Sequence, residues 1–135
     1  MTLSTVPYAL AVDDDPIILM DARAILEDAG YRCHEAGDSD AAIELLSTKA
    51  EQIMLLFSDV EMPGSIDGFH LAREVSARWP SIDIVIASGR ITPQPGDMPE
   101  NATFISKPFS AGLAHDHLRR TLPDGKKPEP LKEKA

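Results

Sequence analysis

Residues 53–59 read Ile53-Met54-Leu55-Leu56-Phe57-Ser58-Asp59, five apolar residues in succession that stop on a hydroxyl and a carboxylate. A run this short and this unbroken predicts a β-strand covered on both faces by helices, the situation of a central strand in a parallel sheet. Two further stretches have the same character, Tyr8 to Val12 and Ile82-Asp83-Ile84-Val85-Ile86-Ala87. Arg32 to Ala36 and Thr103 to Ser106 are shorter and less apolar, as edge strands are. Helical patterns of about a dozen residues separate the strands, the order of repeated βα units.

Those helical patterns carry their own end signals. Pro16 suits a first turn after Asp15, and Ile18, Ala22, Ile25 and Ala29 recur at helical spacing up to Gly30. Ser39 is read as the cap of a second helix that buries Ala42, Leu45 and Leu46. Leu71, Ala72 and Val75 mark a third, closed by Pro80 with Trp79 against the body. Ser110 caps a last helix with Leu113, Ala114, His117 and Leu118 inward. Between the fourth and fifth strands, Ile91 to Asn101 holds three prolines and a glycine where a helix would be expected, so an ordered loop is predicted there.

The 135 residues, 43% of them hydrophobic, fit one domain over 1–122 with a solvated tail over 123–135. Residues 1–122 carry 9 basic and 19 acidic side chains, a balance that repels phosphate backbones and argues against direct nucleic-acid binding. No apolar run approaches the roughly 20 residues that cross a bilayer, so no membrane insertion is expected. The N-terminal apolar run has no basic residue before it and three aspartates after it, the wrong pattern for a signal peptide. Cys33 is the single cysteine, which excludes an internal disulfide and fits a cytoplasmic location.

Function is argued from where polar residues end the apolar runs. In an open parallel sheet ligands bind beyond the carboxyl ends of the strands, where strand order reverses. The first strand runs into Asp13-Asp14-Asp15, the third into Ser58-Asp59, the fourth into Ser88-Gly89 and the fifth into Lys107-Pro108. Right-handed winding in the order 2-1-3-4-5 sets the first and third strands side by side and brings Asp13, Asp14 and Asp59 together. Three such carboxylates call for a cation, and oxygen ligands with water suit Mg2+. A carboxylate beside that ion is a competent nucleophile toward phosphorus, with the Lys107 ammonium and Ser88 hydroxyl to offset phosphoryl charge. Capping is the simpler role for Asp15. The four histidines, His34, His70, His115 and His117, form no ligand pattern and are read as structural or exposed.

From Tyr8 to Leu122 the chain resembles the receiver domains of two-component response regulators. The resemblance rests on Val12-Asp13-Asp14-Asp15-Pro16, Ser58-Asp59-Val60-Glu61-Met62-Pro63, Asp67-Gly68, Ala87-Ser88-Gly89 and Lys107-Pro108-Phe109. It implies a flavodoxin-like, doubly wound five-stranded sheet and a stand-alone switch of the chemotaxis-regulator type, rather than an enzyme. It implies Asp59 as phosphoacceptor, Asp13, Asp14, Asp59 and the Glu61 backbone carbonyl around Mg2+, and Lys107 before a cis Pro108 as the phosphate-pairing lysine. Ser88 and Phe104 match the switch positions, and Glu61 and Arg90 those that influence phosphoryl lifetime. Implied partners are a histidine kinase or histidine phosphotransfer protein and a downstream protein target.

Two departures stand out: Met62-Pro63-Gly64-Ser65-Ile66-Asp67-Gly68 is one residue longer than the usual loop, and the Pro-rich stretch replaces or reduces the fourth helix. An alternative is a Mg2+-dependent phosphatase with Asp59 as nucleophile on small phosphoesters, although Glu61 stands where such hydrolases place a second aspartate. A flavin-binding electron carrier of the same fold is disfavoured by the acidic crevice and by 5% aromatic content.

Overall fold

The computed structural model describes residues 7–61 and 67–122. The strands are β1 (Tyr8–Val12), β2 (Arg32–Ala36), β3 (Ile53–Asp59), β4 (Asp83–Ser88) and β5 (Ala102–Ser106). They alternate with α1 (Pro16–Asp28), α2 (Ser39–Lys49), α3 (Gly68–Arg78) and, after β5, α4 (Ala111–Thr121). All pairings are parallel and the strand order is β2-β1-β3-β4-β5, so the less apolar strands do take the edges. The longer loop around Met62 to Ile66 and the tail over 123–135 lie outside the described residues.

The period-two alternation of each strand sorts the core into two layers. Leu10, Val12, Leu56, Ile84 and Ile86 face α2 and α3, meeting Ala42, Leu46, Leu71, Ala72 and Val75. Ala9, Ala11, Leu55, Phe57, Val85 and Ala87 face the other way, onto Ala22, Leu26, Ala114 and Leu118 of α1 and α4. The run Ile53 to Phe57 serves both layers, which is why it has no polar residue. Each fully buried leucine or isoleucine contributes about 1.5–3 kcal/mol relative to exposure.

The helix ends follow side-chain chemistry, with three corrections. Asp15 caps α1, its carboxylate accepting from the Ile17 and Ile18 amides at 2.9 and 3.4 Å. Ser110 caps α4 by accepting from the Leu113 amide at 3.1 Å. The cap of α2 is Asp38, which accepts from Ala41 at 2.8 Å; Ser39 is the first helical residue and is buried. The buried residues of α1 are Ala22 and Leu26, followed by the buried cap residue Ala29, while Ile18 is 38% exposed. Leu113 is 49% exposed, so the inner face of α4 is Ala114, His117 and Leu118.

Between β4 and β5 there is no helix. Residues 89–101 form an irregular segment whose Ile91 and Met98 pack on the α2/α3 layer of the core together with Trp79 and Phe104. Its polar groups are tied mainly to α3 and the strand ends. Arg73 of α3 donates to the Asp97 carbonyl at 2.6 Å, and Ser76 donates to the Asn101 side chain at 2.8 Å. Asn101 in turn donates to the Ile82 carbonyl at 2.7 Å, and Asp97 accepts from the Gln94 amide at 2.7 Å. Three prolines withhold the amides a helix would need, so side chains supply the fixing that backbone ladders supply elsewhere.

Candidate functional site

The carboxyl ends of β1, β3, β4 and β5 meet in one crevice. Asp13 follows β1, Asp59 ends β3, and Lys107 follows β5. The Lys107 ammonium donates to Asp59 Oδ1 at 2.8 Å and to Asp13 Oδ2 at 3.4 Å, spanning the central strands. The Asp13, Asp59 and Lys107 side chains are only 6%, 10% and 22% exposed, so these charges interact through a medium less polar than water. Asp13 is held by its own Oδ1, which accepts from the Asp15 amide at 3.0 Å.

Carboxylate oxygens of Asp13, Asp14 and Asp59 all lie within 4.8 Å of one another. One ammonium faces three carboxylates, which leaves a deficit of positive charge in a partly buried site. An all-oxygen donor set of this kind fits a hard divalent cation that keeps several waters. The electrostatics agree with the crowding. Burial is the main influence on Asp59 and pushes its carboxyl above the usual range, with the Asp13 charge adding to the push against Lys107. Burial draws the Lys107 ammonium down, but Asp59 and Asp13 outweigh it and hold it above the ordinary lysine value.

Ser88 closes β4 beside this crevice and is 2% exposed. Its hydroxyl oxygen accepts from the amides of Arg90 at 3.2 Å and Ile91 at 3.0 Å, pinning the start of the irregular segment. The Lys107 amide bonds the Ser88 carbonyl at 2.9 Å, which locks the ends of β4 and β5 together, and the Lys107–Pro108 peptide is cis. At the mouth, Arg90 reaches Glu61 at 3.2 Å with Arg90 80% exposed, so the two lifetime candidates do pair. Phe104 is half-buried against the same core layer as Ile91 and Met98.

Among the described residues no histidine joins the carboxylate cluster. His34 stacks on Tyr8, His115 meets the Ile25 carbonyl at 2.8 Å, and His117 meets the Thr103 hydroxyl at 2.7 Å. Burial lowers the His117 pKa, consistent with a neutral core imidazole. Two features escaped the sequence. A groove of about 500 Å³ runs from Asp13 and Asp59 between α1 and the 107–111 stretch, lined by Ile18, Ile25, Phe57, Pro108 and Phe109. Gly68, the first residue of α3, abuts the backbone of Asp59 and Val60. The Asp67-Gly68 pair was visible, but no local pattern says what a glycine 9 residues downstream of Asp59 touches.

Among curated proteins, the chain is 32% identical over 111 residues to the sensor kinase CckA of Brucella abortus, covering 80% of this chain and 12% of that protein. It is 34% identical over 106 residues to the nitrogen assimilation regulatory protein NtrX of Azorhizobium caulinodans, covering 76% of this chain and 23% of that protein. The chain therefore spans well under half the length of these relatives. The crystal structure of the receiver domain of hybrid histidine kinase CckA superposes with a TM-score of 0.73 at 28% identity, covering 86% of this chain and 99% of that one. The receiver domain of NtrX from Brucella abortus gives 0.71 at 30% identity, with 84% and 97% covered. Residues 9–119 match the response regulator receiver domain, and the chain belongs to that family.

Proposed function

We propose that this chain is a phosphorylation-dependent signalling switch that accepts a phosphoryl group on Asp59 from a histidine kinase or histidine phosphotransfer protein. The observation that carries the reading is the partly buried Lys107–Asp59 contact of 2.8 Å inside a cluster of three carboxylates. A bound Mg2+ would be held by Asp13, Asp14, Asp59 and the Glu61 carbonyl, and would offset charge on the transferred group.

The geometry supports the following steps for the chain's own residues. An Asp59 carboxylate oxygen attacks the phosphorus, the bond from phosphorus to the donor nitrogen breaks, and the electron pair leaves with the donor imidazole. Lys107 then pairs with a phosphoryl oxygen, a contact that grows stronger as that oxygen gains charge. The Ser88 hydroxyl lies at the end of the neighbouring strand as a hydrogen-bond donor to a second oxygen. Because Ser88 also anchors the Arg90 and Ile91 amides, its engagement reaches the irregular segment, with Phe104 repacking beside it. The product is a changed surface for a protein target. Glu61 is occupied by Arg90, which argues against its serving as the second acid of a phosphatase.

The test is intact mass after incubation with Mg2+ and acetyl phosphate, with Asp59→Asn in parallel. The wild type gains one phosphoryl group, and the variant and a Mg2+-free sample gain none. Turnover of a small phosphoester without a stable phospho-form would support the phosphatase instead.

A further inference from the structure

Gly68 begins α3 with ordinary helical surroundings, and alanine is the better helix former at such a position. The reason for glycine is contact. A Cβ on Gly68 would collide with the Asp59 carbonyl oxygen and lie 2.7 Å from the Val60 Cα and 2.9 Å from the Asp59 carbonyl carbon. Backbone atoms cannot rotate out of the way as a flexible side chain can. The Gly68 amide also donates to the Val60 carbonyl at 2.8 Å, so the approach is a bonded one.

The peptide it touches is restrained from two other sides. The Ser58 hydroxyl donates to the Asp59 carbonyl at 2.9 Å, and the Val60 amide donates to Ala87 of β4 at 3.2 Å. These restraints bear on the Asp59 backbone from three sides, and from there its carboxylate meets Lys107 at 2.8 Å and Asp13 and Asp14 across the crevice. Gly37, Gly89, Gly96 and Gly112 lack this crowding. Gly112 in α4 would place a Cβ 3.9 Å from the Ser110 hydroxyl and near nothing else.

We infer that Gly68 is a positioning residue for the phosphoacceptor: its bare α-carbon lets α3 close onto the Asp59–Val60 backbone and sets where the Asp59 carboxylate stands. This rests on the proposal that Asp59 accepts phosphoryl groups. A methyl group at Gly68 must push α3 and the end of β3 apart, and displacements of about 1 Å at a reacting group cost on the order of a hundredfold in rate.

The experiment compares the full chain with Gly68→Ala, Gly112→Ala and Ser58→Ala. Phosphoryl gain from acetyl phosphate is timed by intact mass, Mg2+ affinity is read from the amide shifts of Asp59 and Val60, and the unfolding midpoint is recorded. Gly68→Ala is expected to slow phosphoryl gain at least tenfold and to weaken Mg2+ binding while remaining folded, and Gly112→Ala to match the wild type in both. Equal rates and equal Mg2+ affinity in Gly68→Ala and wild type would overturn the inference. Should Gly68→Ala not fold, its fold is restored with a stabilising osmolyte and both readouts are repeated, and values equal to the wild type's would overturn it; Ser58→Ala, which loosens the same peptide without adding volume, is expected to lower both severalfold. A wild type that gains no phosphoryl group from acetyl phosphate or from a phosphorylated histidine phosphotransfer protein would defeat the proposed function instead, and the Mg2+ shifts would still decide the positioning role.

Discussion

Two successive crossovers of this domain start from strands that end in candidate site residues and return in parallel. The path from β3 to β4 uses the 11-residue helix α3; the path from β4 to β5 uses thirteen residues and no helix. In the first, backbone ladders satisfy the peptide groups, and the apolar face of Phe69, Leu71, Ala72 and Val75 holds the helix to the sheet. In the second, Ile91 and Met98 supply the apolar contact, and individual bonds made by Arg73, Ser76, Asn101, Ser88 and Glu61 hold much of the rest. The helix is thus fixed by many equivalent interactions and the segment by a few distinct ones. Since α3 also abuts Asp59 through Gly68, one helix borders both the crevice and the segment.

That contrast is broken or sharpened by substitutions on each side of it. Asp59→Asn has the largest expected effect, abolishing phosphoryl gain while raising the stability of the metal-free protein at neutral pH. The sign follows from Asp59 having a folded pKa above its unfolded value. The folded state is then penalised when Asp59 is charged, and the penalty fades as pH falls through the raised pKa. Thermal melts of the pair should therefore converge in mild acid, and a variant less stable at neutral pH would contradict the account. Lys107→Ala should slow phosphoryl gain by about a hundredfold, as loss of one charge-stabilising donor does elsewhere.

Arg73→Ala probes the other side. It should cost about 1 kcal/mol, speed hydrogen exchange at Gln94 and Asp97, and leave the phosphorylation rate within about twofold of wild type. A large loss of phosphoryl gain in Arg73→Ala would erase the distinction between crevice and segment. Arg90→Ala should leave stability unchanged, since so exposed a pair contributes little, and shorten the phospho-form lifetime measured by mass. An unaltered lifetime would remove the role proposed for the Arg90–Glu61 pair.

The crevice was legible in the sequence because each of its residues sits where an apolar run ends. Asp13, Asp59, Ser88 and Lys107 need only the strand order to be brought together, and that order follows from handedness. Local phase was harder to read. Ile17-Ile18-Leu19-Met20 is apolar throughout, so the buried stripe of α1 was placed on Ile18 and missed Leu26. Asp38 and Ser39 are both capping residue types, and adjacency alone does not choose between them. The bonds of the segment were out of reach for a different reason. Arg73 and Asp97 are 24 residues apart, and Ser76 and Asn101 are 25 apart, so no periodicity connects them.

A helix comes undone from its ends, one turn after another, through a near-continuum of partly open forms. The stretch from β4 to β5 has no turns to lose. Its fasteners are separate side-chain bonds, and each holds a definite length of chain: the Ser88 hydroxyl its first three residues, Arg73 the bend at Asp97, and Asn101 the approach to β5. Loss of any one of them would loosen its own stretch of this flank, and the first belongs to the same side chain that borders the crevice.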